Sequence, residues 1–108
     1  MALLSHQQVT ITGATITLGA AGATDTVAPD DRLFLWYKNT NAATRDITVV
    51  VPGTYYAQNL PDVVVTIAAT TGEELIGPID RRLADPTTGL VTITTSAQTN
   101  LTVAAVKI

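Results

Sequence analysis

The stretch from residue 32 to residue 51 constrains the fold of this chain more than any other. It reads Arg-Leu-Phe-Leu-Trp-Tyr-Lys, then a polar turn, then Ile-Thr-Val-Val-Val, and it holds the only Phe and the only Trp. Both apolar runs have high β-propensity and are close enough to pair as a hairpin. Alternation places the odd-numbered residues from Leu33 to Tyr37 on one face, with Phe34 and Trp36 on the other. Bulky groups on both faces predict that the core covers one face and that a loop or another subunit covers the other.

Composition favours an all-β fold in a single domain spanning residues 1–108. Thr accounts for 20 of the 108 residues, and β-branched residues favour strands. Cysteine is absent, which excludes a disulfide framework, a thiolate metal site and a thiol nucleophile. Seven or eight short strands separated by turn signals predict an antiparallel two-sheet β-sandwich, with jelly-roll or immunoglobulin-like connectivity.

Several local features refine this prediction. The apolar alternation of residues 8–18 changes phase, which predicts a bulge or a tight turn at Gly13-Ala14. Pro78 cannot donate to a ladder, so the strand over 73–79 should lie at an edge or end there. The remaining expectations are a loop over 19–30, an irregular excursion over 54–62, one helical turn before Asp85-Pro86, and a closing hairpin of 90–95 with 100–108.

Charge and hydropathy narrow the class of partner. The net charge is −3 and the basic residues form no run, so nucleic acid is not expected as a direct ligand. The N-terminus lacks the basic and apolar regions of a secretory signal, and no apolar run approaches a membrane span. We therefore expect a soluble protein that folds in the cytoplasm of the cell that makes it.

No constellation of catalytic residues is visible. His6 is the only histidine, and without a second His or Cys it is expected to be a solvated tail residue rather than a base or a metal ligand. The pairs Asp30-Asp31 and Glu73-Glu74 place neighbouring carboxylates on opposite faces or in a loop. A calcium role for Asp30-Asp31 lacks the alternating oxygen ligands of a calcium loop, so solvated charges are the simpler reading. We predict no enzymatic activity, no metal and no cofactor.

Aromatic and basic residues are the candidates for an interface. Arg81 and Arg82 form either a local ion-pair cluster or a contact with a partner chain, since Arg is favoured at interfaces. Tyr55 and Tyr56 are rim anchors for a neighbour, a lid over the end of the sandwich, or a sugar-stacking platform. Trp36, which shares a face of its strand with Phe34, is the fifth interface candidate.

Part of the chain carries the motifs of a known family. The segments are Arg32-Leu-Phe-Leu35 leading to Asn39, Ile47-Thr-Val-Val-Val-Pro-Gly53, Val63-Val-Val-Thr-Ile67 with a following Thr-Gly-Glu turn, Leu75-Ile-Gly-Pro-Ile79, Asp85 to Gly89, Leu90-Val-Thr-Ile-Thr94 and Leu101-Thr-Val-Ala-Ala-Val106. Over residues 32–108 the chain resembles the small β-sandwich decoration (cement) proteins of tailed-bacteriophage heads.

The resemblance implies a non-enzymatic structural subunit on the exterior of the virion capsid. Such a protein binds the major capsid protein, commonly as a homotrimer, and stabilises the lattice against internal pressure. An acidic net charge suits a surface that faces solvent better than one that faces DNA.

The first thirty residues lie outside the resemblance. Residues 1–7 are predicted to be an N-terminal arm that adds a strand to a neighbour's sheet edge, so deleting them should weaken attachment or trimer formation and leave the fold intact. The alternative function is an immunoglobulin-like adhesion or carbohydrate-binding module of a phage tail or cell surface. A stable trimer in solution would favour decoration, and a monomer would favour the module.

Overall fold

The alternating apolar residues build two β-sheets of five strands each. The computed structural model describes residues 2–59 and 61–108. The strands are β1 (Ala2–Leu4), β2 (His6–Gln8), β3 (Gly19–Ala20), β4 (Thr24–Val27), β5 (Leu33–Asn39), β6 (Arg45–Val49), β7 (Thr54–Tyr55), β8 (Gln58–Asn59), β9 (Val63–Ile67), β10 (Gly72–Ile76), β11 (Val91–Thr95) and β12 (Leu101–Lys107). The described residues contain no helix that is long and apolar enough to cross a membrane.

The first sheet has the strand order β1-β4-β11-β6-β9, and the second has the order β10-β5-β12-β2, with β3 also paired to β12. The all-β prediction is confirmed, but two details were wrong. Within the described residues, ten strands rather than seven or eight form the two sheets. The sheets are mixed because β1 pairs β4, and β2 pairs β12, in parallel. Strands of two to four residues carry too little periodicity to be recognised from sequence.

Most consecutive strands lie in opposite sheets. The predicted hairpins of β5 with β6 and of β11 with β12 are therefore wrong, because each connection crosses from one sheet to the other. Periodicity shows which face a residue occupies but not which strand lies beside it. At the β5–β6 turn the buried Asn39 amide donates to the carbonyls of Ala43 at 2.9 Å and Ala68 at 3.1 Å, which joins two turns that connect the sheets.

The core lies between the two sheets. Its buried residues include Val27, Ile47, Val49, Ile67, Val91 and Ile93 from the first sheet and Leu33, Leu35, Tyr37, Leu101, Val103 and Ala105 from the second. Burial of each large aliphatic side chain contributes roughly 1.5–3 kcal/mol before entropy is counted. The Cα extents of 43 × 35 × 19 Å give a flat, two-layered body with two broad outer faces.

Local expectations had mixed outcomes. The tight turn is confirmed, since the Gly13 N–H donates to the Thr10 carbonyl at 3.0 Å and Gly13 has a φ of 95°. The edge position of β10 and a short 3-10 turn at Arg81–Leu83 are also confirmed. The strand expected over 8–18 is largely irregular, whereas the loop expected over 19–30 contains β3 and β4. The excursion over 54–62 holds the two-stranded ribbon β7–β8.

Candidate interaction surfaces

The outer face of the second sheet carries an apolar surface centred on Trp36. In the register, Trp36 lies between Leu75 of β10 and Ala104 of β12, and Phe34 lies beside Val106. Because these residues share one side of the pleat, their side chains form a continuous patch. We call this patch the Trp36 face; it consists of Phe34, Trp36, Leu75, Ala104 and Val106.

A segment of the same chain covers part of the Trp36 face. The Gln7 side chain exchanges two hydrogen bonds of 2.8 Å with the backbone of Thr17, which fixes the irregular segment 9–18 beside the sheet. Ile16 is half-buried and lines the same groove as Trp36. The prediction that the second face of β5 is covered is therefore met only in part, because Phe34 and Trp36 are half-buried and the neighbouring Leu75 of β10 remains 67% exposed.

The exposed part of the Trp36 face forms an open groove of about 510 Å³. Its walls are Ile16, Trp36, Leu75 and Val106, and Glu73 and Glu74 lie at its rim. Glu73 faces outward on β10 beside Lys38 of β5. A groove with apolar walls and a charged rim binds mainly by burying apolar surface and uses its rim for orientation.

Arg81 and Arg82 lie at the end of the sandwich, in the connection between β10 and β11. Arg82 forms an ion pair of 2.8 Å with Asp80, and this hydrogen bond lowers the pKa of the Asp80 carboxyl. The predicted ion-pair cluster is thus present for Arg82. Arg81 lines a polar depression together with Asp30 and Asp31, so three of the residues singled out from sequence lie close together.

Asp30 connects the loop before β5 to the end of β12 at this end of the sandwich. Its carboxylate accepts from the Arg32 backbone N–H at 2.9 Å and pairs with Lys107 at 3.0 Å. The backbone hydrogen bond, followed by the bond from Lys107, lowers the pKa of Asp30. His6 is exposed as expected, but it lies in β2 rather than in a tail, and its Nε2 donates to the Ala28 carbonyl at 2.8 Å.

The tyrosine pair lies on the ribbon at the same end of the sandwich. Tyr56 is 87% exposed at the tip, with a φ of 51°, and the backbone of Tyr55 pairs with Gln58. Tyr56, Arg81 and Arg82 therefore project from one end of the molecule, whereas Trp36 lies on the outer face of the second sheet. The four interface candidates whose side chains the structure describes do not form one surface.

Sequence reasoning missed the outer face of the first sheet. Its register aligns the threonines Thr24, Thr26, Thr48, Thr66, Thr92 and Thr94 across neighbouring strands, with Leu3 at one side and Val64 at the other. The Thr66 hydroxyl donates to Asp46 at 2.8 Å. The Thr-x-Thr pattern at 24–26 was a usable signal, but the segment had been assigned to a loop.

The described residues hold no group of three or more His, Cys, Asp and Glu side chains that could bind a metal ion. Four of the charged groups at this end, those of Asp30, Asp80, Arg82 and Lys107, are engaged in ion pairs or turn hydrogen bonds, which organise the loops there. Comparisons of the chain with protein-family models, with curated protein sequences and with solved structures return no match.

Proposed function

We propose that this protein is a structural subunit that decorates the outer surface of a tailed-phage capsid and stabilises its lattice by binding the major capsid protein. The observation that carries the proposal is the Trp36 face, a largely apolar and partly exposed sheet surface that a neighbouring protein can cover. Large apolar patches with polar rims are typical of protein–protein contacts.

The shape of the molecule also supports this function. A face of 43 × 35 Å has room for the ~800 Å² that each partner buries in an interface of standard size. The net charge of −3 suits a position on the solvent side of a capsid rather than against DNA. The homotrimer implied by the family resemblance, the N-terminal arm acting on a neighbour, and jelly-roll or immunoglobulin-like connectivity stay predictions.

The direct test is addition of the purified protein to expanded, undecorated capsids of its own phage. We expect saturable co-sedimentation, a repeating density on the outer lattice in electron micrographs, and capsids that resist heat better than undecorated ones. Light scattering on the free protein reports whether it is the expected trimer.

Unexpanded capsids and capsids that already carry decoration serve as controls, since both should bind less. Absence of binding to expanded capsids, together with strong responses to several glycans on an array, would replace this proposal with the carbohydrate-binding module.

A further inference from the structure

The edge strand β9 lacks the features that normally protect a sheet edge. It is the terminal strand of the first sheet, and its only partner among the described residues is β6. Its sequence Val-Val-Val-Thr-Ile contains no charge and no proline, whereas β10, the adjacent edge of the second sheet, carries Glu73 and Glu74. An uncharged, regular edge strand is a template for pairing with another chain.

The hydrogen bonds of β6 show which of its residues turn toward β9. On the β11 side, the Val50 N–H donates to the Thr92 carbonyl and the Ser96 N–H donates to the Asp46 carbonyl, both at 3.0 Å. The even-numbered residues of β6 therefore bond to β11. Backbone groups alternate in direction along a strand, so the odd-numbered residues bond to β9.

The same alternation fixes the free groups of β9. Residues Val63, Val65 and Ile67 lie opposite the odd-numbered residues of β6 and direct their backbone groups into the sheet. Val64 and Thr66 consequently direct their N–H and C=O groups outward. Val64 is also 58% exposed, so both its backbone and its side chain are accessible at this edge.

We propose that β9 pairs antiparallel with β9 of a second copy of this chain, around a two-fold axis at Val65. In this register Val64 faces Thr66 of the second copy, and each residue both donates to and accepts from the other. The outward groups of both strands are then satisfied, and the two first sheets become one continuous sheet. The contact is isologous and closes at two chains.

A second copy fits this edge because the strand is complementary to itself. Antiparallel pairing places valine beside threonine on the outer face and brings no like charges together, since β9 has none. It also reduces the exposure of Val63 and Val64, which are 47% and 58% exposed. The pairing requires no capsid protein, so it can be confirmed or overturned independently of the proposed function.

The test uses a single cysteine at the two-fold axis, in a chain that has no cysteine of its own. In the proposed register Val65 faces Val65 of the second copy as a non-hydrogen-bonded pair, with Cα atoms ~4.5 Å apart, which is within disulfide range. We expect Val65→Cys to give a two-chain band on a non-reducing denaturing gel under mild oxidation. If the chain also forms a trimer through other surfaces, the cross-linked band still contains two chains, because a denaturing gel separates all chains that are not covalently joined.

Val63→Cys is the matched control, since the register separates its two copies by four residues, or roughly 13 Å. It should cross-link at least tenfold more slowly than Val65→Cys. Equal rates for the two variants, or no cross-link from a Val65→Cys protein whose circular dichroism and melting match the parent, would overturn the pairing.

A second measurement does not depend on cysteine. Light scattering over a concentration series should show that the assemblies of the parent protein and of Val64→Thr contain twice as many chains as that of Val64→Lys, because the lysine places like charges at the shared edge. A trimer formed through other surfaces would keep its three chains in Val64→Lys, so the factor of two reports the β9 contact alone. Unchanged association of Val64→Lys would also overturn the proposal, and would direct attention to an extended peptide or another surface.

Discussion

At the scale of single residues, Tyr37 shows the limit of a pattern-based prediction. Alternation correctly placed it on the same face of β5 as Leu33 and Leu35, and the structure shows that this face is in the core, where Tyr37 is fully buried. Alternation did not show that its hydroxyl would have no hydrogen-bond partner among the described residues. Burial, with a smaller contribution from nearby Asp25, raises the pKa of this phenol well above its usual range, so the group stays neutral.

Tyr37→Phe should therefore stabilise the protein. An unpaired buried hydroxyl costs roughly 1–3 kcal/mol, and its removal leaves the ring packing intact. We expect the free energy of unfolding to rise by about 1 kcal/mol with an unchanged slope in urea denaturation. A loss of stability of similar size would mean that the hydroxyl is bonded in solution, and Tyr37→Leu serves as the control for loss of the ring itself.

The elements show why the fold could be predicted only in outline. The apolar face of β5 and the edge position of β10 follow from local sequence, because alternation and proline act within one strand. The neighbours of each strand do not, because the choice between a hairpin and a crossing to the other sheet depends on contacts such as those of the Asn39 amide. The same holds for the candidate interface residues: Trp36 and Arg82 were each chosen from the sequence, but periodicity did not show that they lie on different parts of the molecule.

The turn between β9 and β10 carries the chain from the first sheet to the second, and its conformation depends on a single glycine. A Cβ at Gly72 would collide with the backbone carbonyl of Ala68, and this turn already contains Thr70 at a φ of 71°. Gly72→Ala should therefore destabilise the protein by about 2 kcal/mol or more, because backbone atoms must move to relieve the overlap. Urea denaturation monitored by Trp fluorescence measures the change.

Gly19→Ala is the control for that substitution. No atom lies within 4 Å of a Cβ built at Gly19, so this change should be neutral or stabilise by about 0.5 kcal/mol through the unfolded chain. If both variants were equally stable, Gly72 would not lie as close to the Ala68 backbone as the structure shows.

At the scale of the whole molecule, the flat body presents two outer faces of different chemistry. The outer face of the first sheet presents threonines, and that of the second presents the Trp36 face. At the lateral edges the chain passes from one sheet to the other, through Ser5 between β1 and β2 and through residues 68–71 between β9 and β10. A lattice-binding subunit must use one face more than the other, and the proposed function assigns the attachment to the Trp36 face.

Two leucines on opposite faces test that assignment. Leu75 on the Trp36 face is 67% exposed, and Leu3 beside the threonines is 62% exposed. Replacing either with serine should change the free energy of unfolding by less than about 0.5 kcal/mol, because neither side chain is in the core. Burial of a leucine in an interface contributes roughly 1.5–3 kcal/mol, so Leu75→Ser should weaken capsid binding about tenfold or more in a sedimentation titration, while Leu3→Ser should leave it unchanged. The reverse result would assign attachment to the N-terminal arm and the threonine face, because the two substitutions remove the same side chain and differ only in the face they alter.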